Sequence, residues 1–177
     1  MTTFISVLRG INVSGQKKVG MKELKELYEA MGFGQVRTYI QSGNVVFEYP
    51  DTDRSTLVSK IERGIQGRFG FEVPVVIRTR DELRRLIKNS PFVGKDDTKV
   101  HVTFLSAEPV RLTTEEIKTA KDEAEEFCIS GREIYLFCPN GYGATKLSNA
   151  FLERKLKVSA TTRNWRTVNA LLSMAEG

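Results

Sequence analysis

The chain has 177 residues, is 40% hydrophobic and 28% charged, and carries a net charge of +5. That is an ordinary composition for a globular protein of one domain or two small subdomains, either of which can bury a core. It excludes a membrane-spanning helix, since no apolar run approaches ~20 residues. Two cysteines and one histidine exclude a disulfide scaffold, a cysteine zinc site and a histidine-rich metal centre.

In chain order, Thr3 to Leu8 is short, apolar and β-branched, the pattern of a buried strand. Met21, Leu24, Leu27, Tyr28 and Met31 recur at helical spacing, and Gly32 stops that helix. Val36 to Ile40 and Asn44 to Glu48 read as strands joined around Gln41-Ser42-Gly43, with glycine supplying a positive φ. Leu57, Ile61 and Ile65 mark a second helix that starts near the capping residues of 51–55. Glu72 to Ile77 is a further strand and Asp81 to Lys88 a short helix. Ser90-Pro91-Phe92-Val93-Gly94-Lys95-Asp96-Asp97 combines proline, glycine and charge, the mark of a boundary. Beyond it, Val100 to Leu105 is a strand and Thr114 to Ala124 a helix. Phe127 to Ile129 and Glu133 to Phe137 form a hairpin about Ser130-Gly131. Lys146 to Leu156 is a helix, and a last helix begins at Arg163.

These elements predict an α+β fold of two ferredoxin-like-type subdomains, β-α-β-β-α-β followed by β-α-β-β-α-α. The expected domains are residues 1–88 and 98–177, with 89–97 as linker.

Charge is uneven along the chain. Residues 1–88 hold 15 Lys/Arg against 10 Asp/Glu, and residues 139–177 hold 6 against 2. The segments 9–18 and 160–165 combine glycine or hydroxyl groups with cations just before predicted helices, where backbone N–H groups and the helix dipole favour an anion. The first matches neither a Walker A loop nor GxGxxG. Gly10 and Gly15 read equally as turn residues, and Lys17 and Lys18 as a solvated face. Gln41-Ser42-Gly43-Asn44 is a tight turn whose side chains can also read polar ligand edges. Thr161, Thr162 and Asn164 are candidate caps, which leaves Arg163 with a planar fork suited to phosphate or carboxylate. Lys146, at a predicted helix N-terminus, opposes the dipole there.

The candidate ligand-binding residues are therefore Arg9, Asn12, Lys17, Lys18, Gln41, Ser42, Asn44 and Arg163. Arg9, Asn12 and Lys17 or Lys18 are expected to converge with Arg163 on one anion. His101 alternates with Val100 and Val102 and reads as a structural or surface residue. Cys128 and Cys138 lie in apolar strand contexts, are inert core residues on this reading, and fall too far apart across their hairpin to pair. No metal or cofactor is expected, and no residue pattern fixes an oligomeric state.

Leu8-Arg9-Gly10-Ile11-Asn12-Val13-Ser14-Gly15, Arg37 to Phe47 and Ala160-Thr161-Thr162-Arg163-Asn164-Trp165 closely resemble the bacterial domain-of-unknown-function family 1697. The resemblance covers nearly the whole chain and implies a small cytoplasmic α+β protein of two similar subdomains. It implies no activity and no catalytic residues. The family usually has Gly-Gly where this chain has Ser14-Gly15.

Three functional readings follow. The leading one is binding of an anionic ligand, nucleic acid or nucleotide-like, through basic polar loops. An alternative is an enzyme acting on a phosphorylated or carboxylated small molecule, with chemistry at Ser42, Tyr39 or a carboxylate. The third is a structural or interaction domain. The β-α-β-β-α-β order also occurs in RNA-recognition modules, which stack bases on aromatics of their central strands; Tyr39 and Phe47 are the residues to test for that. The N-terminal sequence has no charged leader or small-residue cleavage site, so a cytoplasmic location without membrane association is expected.

Overall fold

A computed structural model describes residues 1–109 and 114–177. The chain divides into two compact units, residues 1–84 with 171–177, and residues 85–170. The fold is α+β, with one four-stranded antiparallel sheet in each unit.

The first unit contains β1 (Thr2–Leu8), α1 (Met21–Ala30), β2 (Gly34–Thr38), β3 (Asn44–Tyr49), α2 (Arg54–Phe69), β4 (Val75–Thr79) and the start of α3 (Arg80–Lys88). Its strands lie in the order β2-β3-β1-β4. Strand alternation sends Phe4 and Leu8 into a core with Phe47, Ile77, Leu24, Tyr28, Leu57, Ile61 and Ile65. The helical stripes Leu24–Tyr28 and Leu57–Ile61–Ile65 thus land on one face of the sheet. Phe47 stacks on Phe33, with ring centroids 4.5 Å apart, and meets Tyr28 edge-on. Two polar groups are buried in this core, and they satisfy each other: Ser6 Oγ and Tyr28 Oη are 2.7 Å apart. Burial pushes the Tyr28 phenol far above its ordinary pKa, so it stays protonated and neutral. Asp53 caps α2 by accepting from the Thr56 N–H, and Gly70 ends that helix in the left-handed region.

The second unit contains β5 (Val100–Leu105), α4 (Thr114–Ala120), β6 (Glu126–Ser130), β7 (Glu133–Phe137), α5 (Asn149–Leu156), β8 (Ala160–Asn164) and the first turns of α6 (Trp165–Glu176). Its order is β6-β7-β5-β8, the same arrangement as in the first unit. The correspondence reaches individual residues. Ile5 on β1 lies opposite Arg78 of β4, and Val102 on β5 lies opposite Arg163 of β8. In each case the next residue caps the following helix. Thr79 Oγ1 accepts from Glu82 N, and Asn164 Oδ1 accepts from Thr167 N. The first residue of each unit's second helix reaches the last strand: Arg54 donates to the Ile77 carbonyl, and Thr162 Oγ1 lies 2.6 Å from Asn149 Oδ1.

Several local expectations change. The second half does not end in two helices, because Ala160–Asn164 is a strand paired with β5. Thr161 and Thr162 follow β-branched strand preference, and only Asn164 acts as a cap. Helix α4 stops at Ala120 and not at Ala124: residues 122–125 form a separate turn in which the Glu125 N–H bonds the Asp122 carbonyl and the Asp122 N–H bonds Glu125 Oε1. Helix α5 starts at Asn149, with Ser148 accepting from Phe151 N, while Thr145 Oγ1 takes the Leu147 N–H in a preceding turn. Lys146 thus lies outside the helix and does not oppose its dipole. The hairpin loop is Gly131-Arg132, which sets Cys128 opposite Tyr135 rather than near Glu133.

Gly43 is where backbone freedom matters most. Its φ is +90°, and an added Cβ would lie 2.6 Å from Ile11 Cδ1 and 3.0 Å from Leu8 Cβ. Gly70 has a similar φ but open space around it. Gly43→Ala is therefore expected to lose about 2–4 kcal/mol, strain and overpacking together, against about 1 kcal/mol for Gly70→Ala. Urea denaturation of the two variants measures the difference; equal losses would refute the close-approach argument.

Candidate functional site

At the end of the first sheet where β1 finishes and β3 begins, two loops meet. Residues 9–20 leave β1, and residues 39–43 join β2 to β3. Asn12 ties them together: its Nδ2 donates to the Val19 carbonyl at 2.9 Å and to the Gln41 carbonyl at 2.8 Å, while its Oδ1 accepts from Val19 N. The Leu8 N–H bonds the Gly43 carbonyl, and Asn12 N the Lys17 carbonyl. Lys17 Nζ donates to the Glu72 carbonyl at 2.7 Å, pinning the far side of the loop. Asn44 is fully buried, and its Nδ2 donates to the Tyr39 carbonyl and Ser42 Oγ.

The backbone of the first loop is unusual. Gly10, Asn12, Ser14, Gly15 and Lys17 all have positive φ, five residues within eight. Three of them are not glycine, and left-handed backbone costs an L-residue roughly 1–2 kcal/mol. Ser14 and Gly15, both at positive φ, form the two-residue turn of a tight hairpin closed by the Gln16 N–H on the Val13 carbonyl. Among the described residues, the N–H groups of Ser14 and Gly15 have no protein acceptor. Lys18 is exposed, and Arg9 is half-buried and engaged within the protein. The N-terminus of α1 does not add to this site. A Cβ built on its N-cap, Gly20, would lie 2.8 Å from Glu23 Oε2, so a carboxylate of the helix itself already covers that end.

Seven of the eight candidate residues thus belong to one end of the first unit. They divide by role. Asn12, Lys17 and Asn44 spend hydrogen bonds on bracing, whereas Lys18 and Gln41 are exposed and Arg9 and Ser42 half-buried at the rim. Arg163 lies in the second unit. It sits in strand β8 rather than in a loop, is 8% exposed, and donates from Nη1 to Thr161 Oγ1 and the Thr162 carbonyl. Burial pushes its pKa down to about 10, so it keeps its charge at neutral pH. Counted by unit rather than by half-sequence, the first unit holds 13 Lys/Arg against 11 Asp/Glu and the second 14 against 11. The positive charge is therefore local to the loop, not a property of the whole unit.

The first sheet offers no platform for stacking bases. Phe47 is completely buried in the core, and on the opposite face Ile5, Val7, Val46, Val76 and Arg78 are at most 3% exposed. Tyr39 lies beyond the end of β2. The signal that sequence reading missed is Ile40, at φ +50° and 50% exposed. A β-branched residue in that region is a true outlier, and only coordinates reveal it.

In the second unit both cysteines are free. Burial, reinforced by the nearby Glu125 carboxylate, pushes the Cys138 thiol up to about 12, which makes it a poor nucleophile. An open depression of about 720 Å³ beside α4 and β6 is lined by lysines and glutamates together with Phe127 and Ile129; it contains no candidate residue. No cluster of three or more metal-ligating side chains occurs among the described residues, and no helix there is long and apolar enough to cross a membrane.

His101 packs its ring on Tyr142 with centroids 5.0 Å apart, and its buried Nδ1 has no hydrogen-bond partner among the described residues. Burial lowers its pKa, partly offset by the Lys99 carbonyl. The unfolded chain therefore takes up this proton first as pH falls through ~6.5, and stability falls with it. No other histidine titrates in that window. Chemical denaturation at pH 7.5 and 5.5 is expected to show a larger acid-side loss in the native protein than in His101→Gln; identical losses would refute the linkage.

A family model described as a protein of unknown function, DUF1697, matches residues 1–135. Among solved structures, the chain is similar to the conserved bacterial protein SP0830 from Streptococcus pneumoniae, with 24% identity, a TM-score of 0.74 and 98% of each chain covered. At that identity the likeness concerns the fold. No curated protein matches the chain. The match over residues 1–135 gives one assignment: the chain belongs to the DUF1697 family of proteins of unknown function.

Proposed function

We propose that this protein binds a compact anionic ligand, a phosphate or carboxylate group, at the loop of residues 9–18. The observation that carries this reading is the concentration of five positive-φ residues between Gly10 and Lys17. Its bracing by Asn12 and Lys17 holds a strained backbone in one shape, and such strain concentrates at binding sites. Lys18 and Arg9 supply cations, and the Ser14 and Gly15 N–H groups supply donors. Gln41 and Ser42 stand on the adjoining loop as polar readers of the ligand's edge. The nearly balanced charge of the first unit favours a compact anion over an extended polyanion, because long-range steering requires charge over a wide surface. Arg163, buried against its own strand, has a structural part in this reading.

Calorimetric titration of the full chain with inorganic phosphate tests the proposal. Saturable binding is expected, weakened about three- to tenfold in Lys18→Ala, which removes one charge-assisted contact. Lys18 is exposed, so the variant is expected to keep its stability within about 0.5 kcal/mol. Failure of the native protein to bind phosphate or any phosphate ester, or equal affinity of Lys18→Ala, would overturn the proposal.

A further inference from the structure

The two loops that meet at this site carry two of the four large hydrophobic side chains exposed among the described residues: Val13, 58% exposed, and Ile40, 50% exposed. Ile40 is the more informative. Its backbone is left-handed, with φ +50°, a conformation that β-branched residues resist most and that asparagine or glycine adopts readily. The turn itself needs little from this residue, because the contact made there is its carbonyl accepting from Gly43 N, which any residue supplies. A half-exposed side chain does not repay the strain by packing. The isoleucine side chain therefore has its use outside the chain.

Val13 flanks the Ser14-Gly15 tip of the other loop, paired with Gln16, and is one residue from Asn12, whose amide bonds the residue after Ile40. The two joined loops therefore carry cations at Arg9 and Lys18, amides at Gln16 and Gln41, and two exposed aliphatic side chains. A purely ionic ligand has no use for the aliphatic side chains, and a purely apolar one has none for the cations. We infer that the ligand is a phosphate ester carrying a flat heterocyclic ring, a nucleotide. Its phosphate lies in the loop of residues 9–18, the faces of its ring lie against Val13 and Ile40, and its ring edge is read by the amides. This inference rests on the anion-binding reading above and adds to it the identity of the group attached to the anion.

The experiment compares four probes on the full chain by calorimetry: adenosine monophosphate, ribose 5-phosphate, inorganic phosphate and a short single-stranded oligonucleotide. The nucleotide is expected to bind about tenfold more tightly than ribose 5-phosphate, a difference set by the ring alone. The second arm is Ile40→Asn, which relieves the backbone strain and removes the aliphatic contact. It is expected to raise the unfolding temperature, to weaken nucleotide binding about three- to tenfold, and to leave phosphate affinity unchanged. Equal affinity for the nucleotide and ribose 5-phosphate would overturn the inference while leaving the loop reading intact. No binding of any probe would overturn both. Tighter binding of the oligonucleotide with a steep salt dependence would overturn the mononucleotide assignment. An Ile40→Asn protein that melts no higher, or that binds the nucleotide as well as the native protein, would also overturn the inference.

Discussion

Both units are organised by a first strand that is hydrogen-bonded along both edges and buried on both faces. β1 pairs with β3 and β4, and β5 pairs with β7 and β8. Side chains of β1 are covered whichever way they point: Phe4 and Leu8 lie in the helix-covered core, and Ile5 and Val7 on the opposite side are equally inaccessible. A sheet enclosed in this way cannot present its face to a ligand. In the first unit the loops where strands end are open to solvent, and the cluster of positive-φ residues lies there. The position of the proposed loop site is thus a consequence of strand burial as much as of its own sequence.

The repeated plan of the two units shows what that framework fixes and what it leaves open. The arginine opposite the central strand, the cap after it and the contact from the second helix to the last strand occur in both. The chemistry filling them differs. In the first unit Arg54 also pairs with Glu82, while Glu82 Oε2 accepts from Thr79 N in a reciprocal capping box. At the matching place in the second unit, Thr103, Thr162 and Asn149 form a chain of uncharged hydrogen bonds. His101 stands where the first unit has Phe4. An ion pair and a hydroxyl chain serve the same closure, so identical strand registers coexist with sequences that share no obvious identity.

Much of this was legible in the sequence where periodicity met a strong stop signal. Leu57–Ile61–Ile65 between an aspartate cap and Gly70, or the Val100–Leu105 strand, follow directly from spacing. Ala160–Asn164 was not legible as a strand, because threonine and asparagine suit a helix cap and a β-ladder equally well, and only pairing with β5 decides between them. The candidate residues were found by type, but type does not separate bracing from contact. Asn44 and Lys18 looked alike as polar loop residues; one is fully buried beneath the turn and the other is open to solvent. Backbone dihedrals leave still less trace. Nothing in Tyr39-Ile40-Gln41 announces a left-handed isoleucine, since the turn is imposed by the register between β2 and β3 and by the close approach at Gly43.

The first unit has one further property, set by chain order. Residues 171–177 belong to it: Arg37 donates to the Met174 carbonyl, and Arg84 pairs with Glu176. These residues follow the whole of the second unit in the sequence. A ribosome making the protein from its N-terminus therefore releases the second unit's strands before the first has received its last turn of helix. Domains usually fold in the order in which they emerge; here the one that begins first is completed last. Until then, the Met174 carbonyl and the Glu176 carboxylate are absent from the nascent chain, and Arg37 and Arg84 wait for them.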